Sequence, residues 1–451
     1  MESKTGEPIQ VDRIHFLERH EKILVMDRQT GGWVMFARDL KELLPLVGAD
    51  PSFINNPKIA TKVEEIEDIL RKHRIGVGDR FENSDLNTVI IKLTKACNLA
   101  CSYCYDYESE EKATHLNSEV ALRTIYEAID ICQNEIDFIF HGGEPMLVWD
   151  MIEDLVRKGH EYALLKGVKV NFLGQTNLTR IDDEKVNFSN KYNLSWGVSL
   201  DGMRTINDQY RVRHNQEGSY DTIMEKINQF PEFISQINAM STITNYNQDY
   251  LLEIAEHIRA LGFAGWDWSL FQPIGRGRQQ TRFDINPDRI KKAWDRLFDG
   301  IVEGKFFGFV ILPVLKYINN FLDGPASNMC MRAKCGAARD LLSVSYDGTI
   351  EACDCIDSKG DLANLGHMNQ HTLSEALNSE KAKYVRSRDI EKLQCGSCMW
   401  QAVCGGTCMA KAGGIDNISK SECALSMHAF DRISQSISQK DVLIRYKRDC
   451  E

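Results

Sequence analysis

Apolar residues recur along the middle of the chain in two alternating rhythms. Six short runs rich in β-branched and aromatic residues, NTVIIKLT, IDFIFHG, VKVNFLGQT, LSWGVSLD, INAMSTIT and GWDWSLFQP, read as strands. Between them lie SEVALRTIYEAIDICQ, WDMIEDLVRKGHEYALLKG, YDTIMEKINQFPEFI and DYLLEIAEHIRALG, whose apolar positions return every three or four residues, as on one face of a helix. This alternation predicts a parallel sheet wrapped by helices. Six units are too few to close an eight-stranded barrel, so the expected fold is α/β, a partial (β/α)6 TIM-like barrel over residues 87–278. Chemistry in such sheets gathers at the C-terminal strand ends.

The flanks have other rhythms. In residues 1–80, RIHFLERHEKILVMD and GGWVMFA read as a hairpin turning at Gly31 and Gly32. DLKELLPLV and KVEEIEDILRKH follow as helices, the second placing Val63, Ile66, Leu70 and His73 on one face. Residues 279–329 read as a helical bridge through NPDRIKKAWDRLFDGIVEG and VLKYINNFLDG. Beyond it, residues 330–430 combine a hairpin, LLSVSYDGTIEACD turning at Asp347 and Gly348, with short loops expected to be shaped by metal rather than by apolar packing. Residues 431–451 read as a C-terminal tail.

At 451 residues the chain is long enough for two or three domains. Hydrophobic residues at 43% and charged residues at 26% describe a folded globular protein. A net charge of −11 gives no basic footprint for nucleic acid, and no run of about 18 apolar residues offers a membrane span. The first thirty residues lack an apolar export signal, so the expected location is the cytoplasm. There disulfides are kept reduced, and the fourteen cysteines call for metal or redox chemistry.

Eleven of them fall in three groups. Cys97, Cys101 and Cys104 form C-x3-C-x2-C directly after the first strand, a spacing expected by chance roughly 0.01 times in such a chain. Three thiolates leave one corner of a cubane cluster open for a ligand, whereas a zinc site would still need a fourth donor. After the second strand comes His141-Gly142-Gly143-Glu144-Pro145. With Tyr103 before the last cysteine, the triplet resembles the radical S-adenosylmethionine (SAM) enzymes. The resemblance implies a [4Fe-4S] cluster that chelates SAM and reductively cleaves it to a 5′-deoxyadenosyl radical, which abstracts hydrogen from a substrate. Gly142, Gly143 and Glu144 match the family's GGEP, which holds the methionyl amine. Ser199 in SLDG and the following Arg211 resemble the residues that reach SAM's ribose and carboxylate, with Arg213 as a competing candidate. The family's usual His before Asp208 is Asn207 here. Asn177 closes QTN, another family-like element that reads equally as a helix cap, and Gln272 to Arg278 (QPIGRGR) could meet adenine.

A second resemblance covers the C-terminal third. Cys335, Gly348, Cys353, Cys395, Cys398, Cys404, Cys408 and Cys423 reproduce the spacing of the SPASM domain, and Cys330 supplies an eighth thiol. The family's interleaving implies two auxiliary [4Fe-4S] clusters, the first on Cys330, Cys335, Cys353 and Cys408, the second on Cys395, Cys398, Cys404 and Cys423. With the SAM cluster this makes three. Zinc ribbons are the alternative. Cys132 reads as a core residue, Cys355 as a substitute ligand and Cys450 as free. Asp354, directly after Cys353, resembles the base of sulfatase maturases, and reads equally as a solvated hairpin end.

These resemblances imply a peptide maturase that forms a C–S (thioether) or C–C side-chain cross-link in a ribosomally made (RiPP) precursor. Residues 1–80 resemble the winged-helix leader-recognition unit of such enzymes, which adds a leader peptide to its sheet edge. A flavodoxin or ferredoxin would supply electrons. The alternative is an anaerobic sulfatase maturase forming formylglycine from Cys or Ser.

Overall fold

The structure, a computed structural model, describes residues 7–78, 85–106, 114–278, 280–325, 329–356 and 364–450. The domain end expected at residue 80 lies outside them. Three strands open the chain: β1 (Ile14–Arg19), β2 (Lys22–Asp27) and β3 (Trp33–Ala37), forming an antiparallel sheet with β2 central. The first apolar run is thus two strands, reversed at His20, whose φ of 50° makes a turn. DLKELLPLV is not a helix. It forms short 3₁₀ turns at Arg38–Leu40 and Leu44–Leu46, because Pro45 lacks the amide that an α-turn needs. One helix, Pro57–Lys72, does form, capped by Asn56, with Val63, Ile66 and Leu70 buried.

This unit is fixed to the rest of the molecule. In β2, Ile23 and Val25 face the unit's own core while Leu24 and Met26 join the main one. Trp33 Nε1 donates to Phe321 O at 2.6 Å, Arg28 Nη1 to Gly396 O at 2.6 Å, and Arg19 Nε to Ser434 Oγ at 2.9 Å.

The six strands expected for the barrel are β4 (Thr88–Thr94), β5 (Glu135–Gly142), β6 (Lys169–Thr176), β7 (Ser195–Ser199), β8 (Asn238–Ile243) and β9 (Gly265–Leu270). They pair in parallel and in chain order, and β10 (Val310–Ile311) extends the β9 edge. Side chains alternate across the sheet. Ile136, Phe138 and Phe140 of β5 are buried in the helix-covered core, while Ile139 and His141 line the barrel interior. YDTIMEKINQFPEFI breaks into Tyr220–Gln229 and Pro231–Ile234 because Pro231 cannot continue the first helix.

At the opposite edge the sheet does not stop. β11 (Leu341–Val344) pairs in parallel with β4, followed antiparallel by β12 (Thr349–Glu351) and β13 (Asn364–His367). The expected Asp347–Gly348 hairpin is therefore continuous with the barrel. The surrounding cysteine-rich region is not held by thiols alone. Leu373, Val385, Trp400, Val403 and Phe430 are buried in the main core, a correction to the expectation of loops without apolar packing. The segment read as a tail continues helix Lys420–Gln435 and forms helix Lys440–Cys450, where Leu443 and Tyr446 are fully buried. No helix among the described residues is long and apolar enough to cross a membrane.

Tyr446 Oη accepts from Ile311 N at 2.8 Å and donates to Phe309 O at 3.3 Å. Tyr446→Phe should destabilise the protein by about 1 to 3 kcal/mol, because it leaves a buried amide unpaired. Urea unfolding measures this; an unchanged midpoint contradicts it.

Candidate active site

The loop carrying Cys97, Cys101 and Cys104 has little regular structure, and three neighbours fix its backbone. Gly143 N donates to Thr94 O at 2.7 Å and Glu144 N to Ala96 O at 2.8 Å. Gly142 sits at φ 119°, and a Cβ on Gly143 would stand 2.1 Å from Ala96 O. The two glycines thus let the end of β5 approach the cysteine loop itself. From a second side, Ala100 N donates to Val212 O at 2.7 Å and Ser102 N to Tyr210 O at 3.1 Å. The third contact is the turn Gly275–Gly277, where Arg276 N donates to Cys104 O at 2.9 Å. The QPIGRGR segment, expected against adenine, packs on the cysteine loop here.

All three thiols line a cavity of about 660 Å³ between the barrel and the cysteine-rich region. Gly142, Gly143, Glu144, Asn177, Ser199 and Arg211 line it too, as do Tyr103 and Asp354. Glu144 is 1% exposed, and accepts from Asn177 N and Thr176 Oγ1, both at 2.7 Å, and from Met146 N at 3.1 Å. Burial raises its pKa to about 7 against these hydrogen bonds. Asn177 does not cap a helix, since the next one, Asp183–Tyr192, is capped by Asp182. Asn177 Oδ1 accepts from Thr179 N, and its Nδ2 donates to Asn98 Oδ1 at 2.9 Å and lies 4.0 Å from Cys97 Sγ.

Arg211 reaches the cavity, whereas Arg213 bonds Thr222 Oγ1. Arg211 Nε lies 3.1 Å from Asp201 Oδ1, and its guanidinium stands 5.5 Å from the Tyr103 ring centroid. Asp201 also accepts from Tyr103 Oη. Burial works against the Arg211 charge, but Asp201 outweighs it and holds the side chain ionised. Asn207, standing where the family has His, is fully buried and donates to Ser219 Oγ at 3.1 Å.

Sequence reasoning misses a polar chain opposite this group. Tyr105 Oη donates to Asp354 Oδ2 at 3.0 Å and lies 3.1 Å from His141 Nδ1, while His141 Nε2 lies 2.5 Å from Gln175 Oε1. Beneath it, Lys92 Nζ lies 3.0 Å from Asp106 and 3.4 Å from Glu351. The available signals are small: Tyr105 follows the last cysteine, His141 leads GGEP, and Lys92 is a lone cation in an apolar strand.

The remaining thiols gather in two groups. Cys330, Cys335, Cys353 and Cys408 share electrostatic neighbours, and Cys355 stands among them as a fifth, its donor atom within 4.8 Å of those of Cys353 and Asp354. Burial, then Cys423 and Cys398, raises the Cys395 thiol. Burial raises Cys404 to about 11, with Cys398 also contributing. Cys132 is buried at the end of helix Ser118–Ile131, and Cys450 lies against Phe309 O.

These donor sets fit iron–sulfur centres. Burial pushes Cys97, Cys101 and Cys104 up, Cys104 to about 12, so the loop holds three neutral thiols in a dry place. A soft metal centre would stabilise them as thiolates. Glu144 fits an ammonium group in the same way, as a buried carboxylate whose three hydrogen-bond donors are all neutral.

Gly143→Ala should cost about 1 to 3 kcal/mol in urea unfolding, since the new methyl meets backbone. In the cofactor-free chain, Glu144 has a folded pKa above its ordinary value. Its contribution to stability is therefore present below the ordinary carboxyl range and lost as pH rises through about 7. Glu144→Gln should flatten that part of the stability profile; an unaltered profile contradicts the assignment.

Residues 91–258 match the Radical SAM superfamily model, and residues 335–399 match SPASM, an iron-sulfur cluster-binding domain. A cysteine-type anaerobic sulfatase-maturating enzyme of Clostridium novyi (strain NT) is 25% identical over 335 residues, 72% of this chain and 87% of its own. Native anSMEcpe with bound AdoMet and Kp18Cys peptide shares the fold at TM-score 0.70 and 20% identity, over 79% of this chain and 99% of that one. Streptococcus suis SuiB bound to precursor peptide SuiA shares it at TM-score 0.56 and 14% identity, over 91% and 98%. The two matched domains bring SAM and [4Fe-4S] clusters as cofactors. With its open parallel barrel, its cysteine loop after β4 and its second set of thiols, the chain carries a radical SAM domain and a SPASM domain.

Proposed function

We propose that the protein is a peptide maturase that forms a thioether or carbon–carbon cross-link between side chains of a ribosomally made precursor. The observation that carries this reading is the N-terminal sheet unit, docked through Trp33, Arg28 and Arg19. β1 is an edge strand with Phe16 half-exposed, suited to adding the leader as a further strand. SuiB, recorded with its precursor peptide, is matched over 91% of this chain, and anSMEcpe over 79%.

Cys97, Cys101 and Cys104 would hold the cluster that binds SAM, Cys330, Cys335, Cys353 and Cys408 the first auxiliary cluster, and Cys395, Cys398, Cys404 and Cys423 the second. Bound there, cluster and SAM supply one-electron, hydrogen-abstracting chemistry. Glu144 would accept hydrogen bonds from SAM's ammonium, and Ser199 and Arg211 would serve its ribose and carboxylate. Asp354 takes the proton from the substrate side chain, held in place by the Tyr105 hydroxyl, which His141 and Gln175 orient in turn. A flavodoxin or ferredoxin in the reducing cytoplasm donates electrons.

A second reading, formylglycine formation in a sulfatase, is favoured by the sulfatase-maturating relative. Mass spectrometry distinguishes them, with the reconstituted enzyme offered a precursor peptide encoded beside its gene and a sulfatase peptide containing Cys or Ser. The expected result is loss of hydrogen from the precursor and no aldehyde in the sulfatase peptide; the reverse contradicts the proposal. Anaerobic reconstitution should give about twelve irons per chain. Cys97→Ala, Cys101→Ala and Cys104→Ala together should leave about eight and abolish SAM cleavage. Asp354→Asn should stop peptide modification while SAM cleavage continues; modification at the wild-type rate removes its role as base.

A further inference from the structure

Arg388 lies just beyond helix Glu380–Arg386 and is only 8% exposed. Its four hydrogen bonds go to backbone carbonyls. Nε donates to Ile415 O at 3.2 Å, Nη1 to Thr407 O at 2.9 Å, and Nη2 to Gly406 O at 2.7 Å and Asn417 O at 3.1 Å. These acceptors satisfy the guanidinium's hydrogen bonds but carry no net charge. Among the described residues no carboxylate pairs with it: neighbouring Asp389 pairs with Lys392, and Glu422 pairs with Lys411.

A guanidinium taken out of water without a countercharge is costly, and natural proteins seldom leave one so. Its position shows where the missing charge belongs. The segment it grips, residues 406–417, spans Cys408 of one thiol group and runs between Cys404 and Cys423 of the other. Thr407, whose carbonyl Arg388 holds at 2.9 Å, directly precedes Cys408 of the first group, and Gly406, held at 2.7 Å, comes two residues after Cys404 of the second. Four thiolates around a cubane leave a net negative centre.

We propose that Arg388 is the shared countercharge of the two auxiliary clusters, and that it raises both of their reduction potentials. This rests on the proposed assignment of eight thiols to two clusters. Reduction adds negative charge to a cluster, so a fixed cation nearby stabilises the reduced form more than the oxidised one. Arg388 is in this sense a positioning residue acting through the clusters. Its fork of donors also holds the ligand loop, so charge and scaffolding must be separated.

The test is a mediator titration, followed by electron paramagnetic resonance, of full-length reconstituted protein with Arg388→Gln and Arg388→Lys. Lysine keeps the charge and loses the fork; glutamine loses the charge. Arg388→Gln should lower the reduced-to-oxidised ratio of both auxiliary clusters at least tenfold at fixed potential, about 59 mV for a one-electron couple. Arg388→Lys should stay close to wild type. If glutamine prevents cluster assembly, lysine decides: an assembled cluster at the wild-type potential supports the charge role. Unshifted potentials in Arg388→Gln overturn it, as does equal loss of iron in both variants, which would mark a carbonyl staple. Wild-type protein without auxiliary irons would instead overturn the cluster assignment on which the inference stands.

Discussion

The parallel pairing of β11 with β4 is the constraint on which the rest of the molecule depends. It sets Leu341 to Val344 beside Thr88 to Ile91, so the SPASM hairpin is part of the barrel sheet. That register brings Glu351 and the backbone of Asp354 to Lys92, a buried cation of β4. Burial disfavours the Lys92 charge, yet Asp106, Glu351 and Asp354 together hold its pKa above the ordinary lysine value. The ammonium is therefore a fixed positive point where the two domains meet. Removing either partner would strand the other charges in a dry interior, which is why such clusters are far costlier to break than surface pairs. The same seam carries Tyr105 to Asp354, joining the cysteine loop of one domain to the hairpin of the other.

Around this seam the sites share one electrostatic character. The thiols and the Glu144 carboxyl are buried deeply enough to resist ionisation, so each is matched to a cation or metal centre rather than to water. Rigidity comes from backbone contacts. Three segments from different parts of the barrel hydrogen-bond to the cysteine loop, so its three thiols are placed by the scaffold and not by one another. An open barrel suits this arrangement, since its uncovered edge admits a second domain carrying its own thiols into the cavity wall.

Much of this is legible in the sequence, for reasons that differ by element. The strands β4 to β9 are legible because each is a short apolar run closed by a turn, and their chain order is the order in which parallel units stack. The cysteine triplet and GGEP are legible because each is a compact cluster directly after a strand. Pro45 shows how one residue can cancel a helical period. What stays hidden depends on contacts between distant residues. Nothing local marks Asp201 as the partner of Arg211, or Tyr105, His141 and Gln175 as one chain. Nothing local reveals that Tyr446, near the C-terminus, closes the β10 edge through Ile311. The apolar contribution of the cysteine-rich third is hidden because its buried residues are thinly spread among polar ones, and only packing against the barrel gathers them.

With the proposed ligands, the SAM-binding cluster and an auxiliary cluster would border one cavity, lined by Cys97, Cys101 and Cys104 and by Cys330 and Cys408. Iron-edge anomalous diffraction from anaerobically grown crystals of the full chain tests this most directly. The predicted result is three separate iron sites: one within the Cys97, Cys101 and Cys104 loop, one among Cys330, Cys335, Cys353 and Cys408, and one among Cys395, Cys398, Cys404 and Cys423. A single iron site at the loop, with zinc or no metal at the C-terminal thiols, would contradict it.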